Sequence, residues 1–156
     1  MHKRETVQTL NTLIQTCRAT EDLSLACART VRTAAFAGLL RSRADDWGRQ
    51  GDELQALVLT LGAVPARLAK LTASGLCGWV ALKAVLLGPS DMRNLEACQH
   101  GELRALHRYD QALIGYLPER IRRTLTLHAQ RIASRTEAMH VLLGQLSARS
   151  DEAPTM

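Results

Sequence analysis

Two acids fall where acids are costly. Leu95, Leu106, Tyr109 and Leu113 recur at helical spacing and predict one buried stripe, and Glu102 lies on it. Leu10, Ile14, Cys17, Leu25 and Ala28 predict a second stripe, which carries Glu21. An unpaired carboxylate in a core is strongly unfavourable, so each must meet a partner. Acids that converge between helices have two chemistries open to them. With imidazoles they ligate metal: a bridged pair of ions takes a lone Glu from each of two helices and a Glu-x-x-His pair from each of the other two. With guanidinium groups they form internal ion pairs, because the planar fork of Arg meets a carboxylate at two points and stays charged when buried.

The ligand set for metal is incomplete. Glu137-Ala138-Met139-His140 has the right letters, but at about 100° per residue Glu137 lies away from the face of Ile132, Met139 and Leu143, so the pair is predicted to face water. No second Glu-x-x-His is available on the helix that would have to supply it. Arg43, His128 and Arg135 do lie on inward stripes. Counting outward from the turns, Glu21 comes level with Arg43, and Glu102 with the stretch from His128 to Arg135. The expectation is a buried polar cluster of Glu21, Arg43, Glu102, His128 and Arg135, a vestigial metal site with arginines in place of ions. No cofactor and no bound metal are expected; were iron or another divalent metal held, Glu21, Glu102 and His128 would be its ligands. The competing reading makes Glu21 and Glu102 edge residues reaching solvent, with Arg43 and Arg135 covering apolar surface through their stems. Tyr109, seven residues after Glu102, could reach a core carboxylate through its hydroxyl.

Four elements must position these residues. Helix A is expected from about Glu5 to Arg29. Helix B runs from about Ala34 to Leu61 through Phe36, Leu40, Trp47, Leu54 and Val58, and stops at Gly62 with Pro65 beyond. Helix C starts after "GPSD", with Ser90 as N-cap, and runs to about Gly115. Helix D opens at Pro118 and carries Ile121, Leu125, Ile132, Met139, Leu142 and Leu146. Between B and C, "ARLAKLTASGLCGWVALKAVLL" is apolar on most sides yet too short and interrupted to cross a roughly 30 Å hydrocarbon core, so residues 66–87 are expected to be a crossover helix. Two hairpins of helices joined by one long crossover is the ferritin-like way to build an antiparallel four-helix bundle, here residues 1–149, with 150–156 a polar tail.

Composition agrees with that class. The chain has 156 residues, 46% hydrophobic but only 3% aromatic, which favours aliphatic helix packing in one domain. The +5 charge forms no concentrated tail, and the basic run Arg120, Arg122, Arg123 and Arg131 has the usual meaning of a solvated face; with no stacking aromatics, nucleic acid is not an expected partner. Cys17, Cys27, Cys77 and Cys98 lack metal-ligand spacing and are expected to be reduced core residues. "MHKRETVQTLNTL" leads into no signal-type apolar run, which predicts a cytoplasmic location.

The chain resembles a bacterial family of ferritin-like four-helix-bundle proteins of uncharacterised role, domain of unknown function 2383. The likeness rests on "TVQTLNTLIQTCRATED", "DELQALVLTLGA", "GWVALKAVLLG" and "NLEACQHGELRALHRYDQAL". Family members usually have Cys-Glu-x-Gly-Glu-Asp where this chain has Cys98-Gln99-His100-Gly101-Glu102-Leu103, so two carboxylates are lost. The resemblance implies a ferritin-like bundle with Glu21 and Glu102 as the matching acids, and no activity. The resulting expectation is a non-enzymatic bundle that acts as a homodimer or with a protein partner, in stress physiology; the alternative is an iron-binding or iron-oxidising protein with a reduced ligand set.

Overall fold

The computed structural model describes residues 2–66 and 90–152. The expected crossover helix at 66–87 lies outside the described residues except at Ala66. Every regular element described is helical: α1 (His2–Thr30), α2 (Ala34–Thr60), α3 (Asp91–Ile114) and α4 (Glu119–Glu152). α4 continues three residues beyond the expected bundle boundary at 149. Among the described residues, no helix is long and apolar enough to cross a membrane.

The ends of the helices follow from local chemistry. α2 closes as its periodicity requires: Gly62 adopts φ 74°, its N–H donates to Leu59 O (2.9 Å), and the Ala63 N–H donates to Val58 O (3.2 Å). This is a Schellman closure, and it needs the left-handed backbone that glycine enters without a Cβ penalty. Ser90 does occupy the N-cap of α3, but its hydroxyl makes no capping bond. The neighbouring carboxylate works across the chain instead. Asp91 accepts from the backbone N–H of Arg32 (2.8 Å), the N–H of Thr33 (3.0 Å) and the Thr33 hydroxyl (2.6 Å), clasping the α1–α2 corner to the start of α3. At the opposite end, Arg122 of α4 donates to the carbonyls of Leu113 (2.7 Å) and Gly115 (2.8 Å), satisfying orphan acceptors at the C-terminus of α3. Arg122 therefore leaves the expected solvated basic run.

Buried side chains form two apolar clusters. One contains Leu10, Leu13, Trp47, Leu54, Leu125 and Ile132; the other contains Leu23, Cys27, Leu40, Leu95, Cys98 and Met139. α1 reaches both by a path the sequence reading missed. Its inward face runs Leu10, Leu13, Cys17, Thr20, Ser24, Cys27, not Cys17, Glu21, Leu25. Relative to Cys17, at about 100° per residue, Thr20, Ser24 and Cys27 lie about 60°, 20° and 80° to one side, the side the core occupies here, whereas Glu21 and Leu25 lie about 40° and 80° to the other. Thr20 and Ser24 are tolerated inside because their hydroxyls donate back to Thr16 O (2.7 Å) and Thr20 O (2.9 Å).

Candidate functional site

Between the two apolar clusters lies a polar layer. Glu102 has 0% exposure. Its Oε1 accepts from Arg43 Nη1 at 2.8 Å and its Oε2 from the Trp47 indole N–H at 2.9 Å. The second Arg43 nitrogen, Nη2, donates to the main-chain carbonyl of Arg135 at 2.8 Å. α2 places both donors on one face, because Arg43 and Trp47 are four residues apart and project from successive turns.

A second chain of hydrogen bonds leads away from Arg135, and its polarity is fixed at both ends. A guanidinium can only donate, so Arg135 Nη2 donates to Gln50 Oε1 (2.6 Å), which turns the Gln50 amide so that Nε2 donates to the Tyr109 oxygen (3.4 Å). A carboxylate can only accept, so Glu53 Oε2 takes the Nε2–H of His128 (2.6 Å). Burial lowers the His128 pKa, against the opposing pull of Glu53, so the ring is neutral at pH 7 and Nδ1 is a bare acceptor. The Tyr109 O–H donates to that Nδ1 at 3.0 Å. Cys17, whose thiol burial pushes up to about 12, is protonated, and with the Tyr109 proton given to His128 its Sγ, 3.3 Å from the same phenol oxygen, is the donor there. The donors run one way from guanidinium to carboxylate: Arg135, Gln50, Tyr109, His128, Glu53. Tyr109 and His128 have 0% exposure, while the Glu53 side chain is 50% exposed, so the chain ends at the surface.

Arg135 is braced from two further sides. Its guanidinium carbon lies 5.2 Å from the Trp47 ring centroid, a cation–π distance, and Nη1 is 3.5 Å from Asp46 Oδ2. Its Nε is buried without a partner among the described residues.

Of the five residues expected in a polar cluster, the structure brings together Arg43, Glu102, His128 and Arg135. Glu21 stands apart. It lies on the α1–α2 seam over Gly48, its side chain is 27% exposed, and among the described residues the cation it meets is Arg18 at 3.8 Å, not Arg43. Partial burial raises its pKa, with Arg18 pulling the other way. Arg18 itself lies across a notch in α2, donating to Gly48 O (3.1 Å) and Asp52 Oδ1 (2.6 Å), and a Cβ at Gly51 would come within 2.9 Å of its Cζ. Tyr109 reaches His128, Cys17 and Gln50, not a core carboxylate. Glu137 and His140 are exposed. The sequence reading missed Trp47 as a donor and Gln50, Glu53 and Cys17 as members of the network. Gln50 had a signal: Leu40, Arg43, Trp47, Gln50, Leu54 and Val58 form one unbroken stripe in α2.

Both Glu102 oxygens and both His128 nitrogens are engaged by protein groups, Glu21 is remote from them, and among the described residues no three His, Cys, Asp or Glu side chains converge as ligands.

A matching family model now adds a class to this geometry. It covers residues 5–114, spanning α1 to α3 and most of the layer's residues. The chain belongs to the family described as a domain of unknown function, DUF2383. A comparison with curated proteins gives no match.

Proposed function

We propose that this protein is a metal-free member of the ferritin-like architecture, a non-enzymatic helical scaffold that acts by associating with a second copy or a protein partner. The observation that carries the reading is the pairing of Glu102 with Arg43 and Trp47: fixed donors hold the central carboxylate where a metal site would need it free. Residue pairings support the bundle topology. Arg18 opposes Gly48 while Lys3 opposes Gly62, Cys17 opposes Tyr109 while Ser24 opposes Cys98, and Glu53 opposes His128 while Gln50 opposes Arg135. In each pair of helices one number falls as the other rises, the antiparallel arrangement of a ferritin-like bundle with α2 and α3 running in the same direction.

Association is supported by one end of the bundle. There the His2 ring stacks 4.3 Å from Tyr116, Lys3 lies beside Gly62, and Leu59, Val64, Ile114 (86% exposed) and Tyr116 stand in water. Large apolar side chains gathered at one end are a common mark of contact surfaces. Burial of the unpaired Cys17, Cys27 and Cys98 accords with a reducing, cytoplasmic setting. Light scattering tests self-association: wild-type protein forms dimers that Ile114→Glu disrupts, and a strict monomer at high concentration leaves only the partner half of the reading. Elemental analysis of protein purified without chelators tests the scaffold half, and near-stoichiometric iron, manganese or zinc would overturn it.

A further inference from the structure

The directed hydrogen-bond chain is more than a scaffold needs. Arg43 and Glu102 already fix the meeting of α2 and α3, yet the core also carries a phenol, an imidazole and a thiol in contact, wired to a carboxylate at the surface. We propose that Tyr109 is a site of reversible one-electron oxidation, with His128 Nδ1 as the acceptor of its phenolic proton. This goes beyond the scaffold reading and rests on the polar chain alone, not on what the protein associates with.

The chemistry balances within residues already placed. A phenol that loses an electron becomes a strong acid, and in a core without a base the resulting charge has nowhere to go. Here the Tyr109 O–H bond breaks and an N–H bond forms at His128 Nδ1, along a 3.0 Å hydrogen bond already pointing that way. One electron leaves to a one-electron outer-sphere oxidant at the surface. The products are a neutral phenoxyl and an imidazolium, and the imidazolium is held through its Nε2–H by the Glu53 carboxylate at 2.6 Å. Reduction by one electron reverses the step and returns the proton. Cys17 and Gln50 go on donating to the oxygen, which keeps it in place. Burial shields the ring from water and from coupling with a second phenoxyl. The chain's other tyrosine, Tyr116, is 63% exposed, and among the described residues its hydroxyl has no hydrogen-bonded base. Arg131 and Arg135, the cations that act on His128, disfavour its imidazolium, so Glu53 is the group that makes the transfer feasible.

The test uses the full-length Tyr116→Phe protein, in which Tyr109 is the one remaining tyrosine. Ruthenium(III) tris-bipyridine generated by flash-quench is the oxidant, with the phenoxyl read by its absorption and EPR spectrum. We expect a phenoxyl signal that forms more slowly in D2O than in H2O. Adding His128→Gln removes the base and slows its formation roughly 100-fold, the lower end of what a positioned proton acceptor contributes. Adding Glu53→Gln, at a half-exposed position that tolerates change, slows it about tenfold, equivalent to one pKa unit of imidazole basicity. A tryptophanyl signal in place of phenoxyl, a rate insensitive to D2O, or an unchanged rate in either folded variant would overturn the proposal. If His128→Gln does not fold, the isotope effect and Glu53→Gln decide.

Discussion

Replacing Arg43 by Met would isolate the charge at the centre of the bundle. Met keeps much of the stem's volume while removing the guanidinium, so the variant asks what Glu102 is worth without its ion pair. Glu102 has 0% exposure, and after the substitution it retains one donor, the Trp47 indole N–H at 2.9 Å. Breaking a buried pair by deleting one partner costs about 3–5 kcal/mol, because an uncompensated charge is left in the core. For a chain of this size each kcal/mol lowers the melting temperature by about 2–4 °C, so a drop of roughly 6–20 °C is expected. The double variant Arg43→Met/Glu102→Met removes the charge as well. What remains is the orphaned Trp47 N–H, a penalty of about 1–3 kcal/mol. The double variant should therefore be more stable than Arg43→Met alone. Urea unfolding followed by circular dichroism at pH 7 measures both. A loss below about 1 kcal/mol in Arg43→Met, the range of solvent-exposed ion pairs, would refute the reasoning, as would a double variant no better than the single.

The glycines separate close contact from open space: Gly101→Ala would drive a methyl into Leu23 Cδ2 and should cost about 1–3 kcal/mol, while Gly144→Ala, with nothing within 4 Å among the described residues, should gain up to about 1 kcal/mol, both by urea unfolding. The Asp91 clasp is sensitive to acid. The backbone N–H of Arg32 and then the Thr33 hydroxyl lower the Asp91 pKa, so its contribution is present above the ordinary Asp value near 3.9 and is lost as pH falls through the depressed folded value. Asp91→Asn should remove that contribution, so urea midpoints of the two proteins should differ at pH 7 and converge towards pH 3. Burial pushes Cys17 and Cys98 up to about 12 and Cys27 to about 11, so peptide mapping after iodoacetamide should find all three unmodified in native protein and labelled in urea.

Much of the frame was legible because long helices repeat one signal many times. The periodicity of α2 located Arg43 on the core face, and Gly62 marked its end. Glu102 was legible as buried because the stripe predicted through Leu95 and Tyr109 is buried on both sides of it, although Leu106 and Leu113, also assigned to that stripe, are only half-buried. Glu21 was misplaced because two steps of four imitate a stripe over a short span, and because Thr20 and Ser24, the true inward residues, are polar and gave no apolar signal. The pairing was beyond the sequence for a different reason. Counting from turns gives levels along a bundle but not which neighbour a side chain faces, and Arg43 crosses to α3 instead of meeting α1. Glu53 was hidden because half of it is in water, and its role appears only when His128 of α4 is laid against it.

The two carbonyls held by Arg122 have a consequence for how the second hairpin comes together. The last turn of α3 is finished by a residue from the first turn of the next helix, so neither end is complete by itself. Fraying at the start of α4 must loosen the close of α3, and the two should therefore gain hydrogen-exchange protection together, as one cooperative unit.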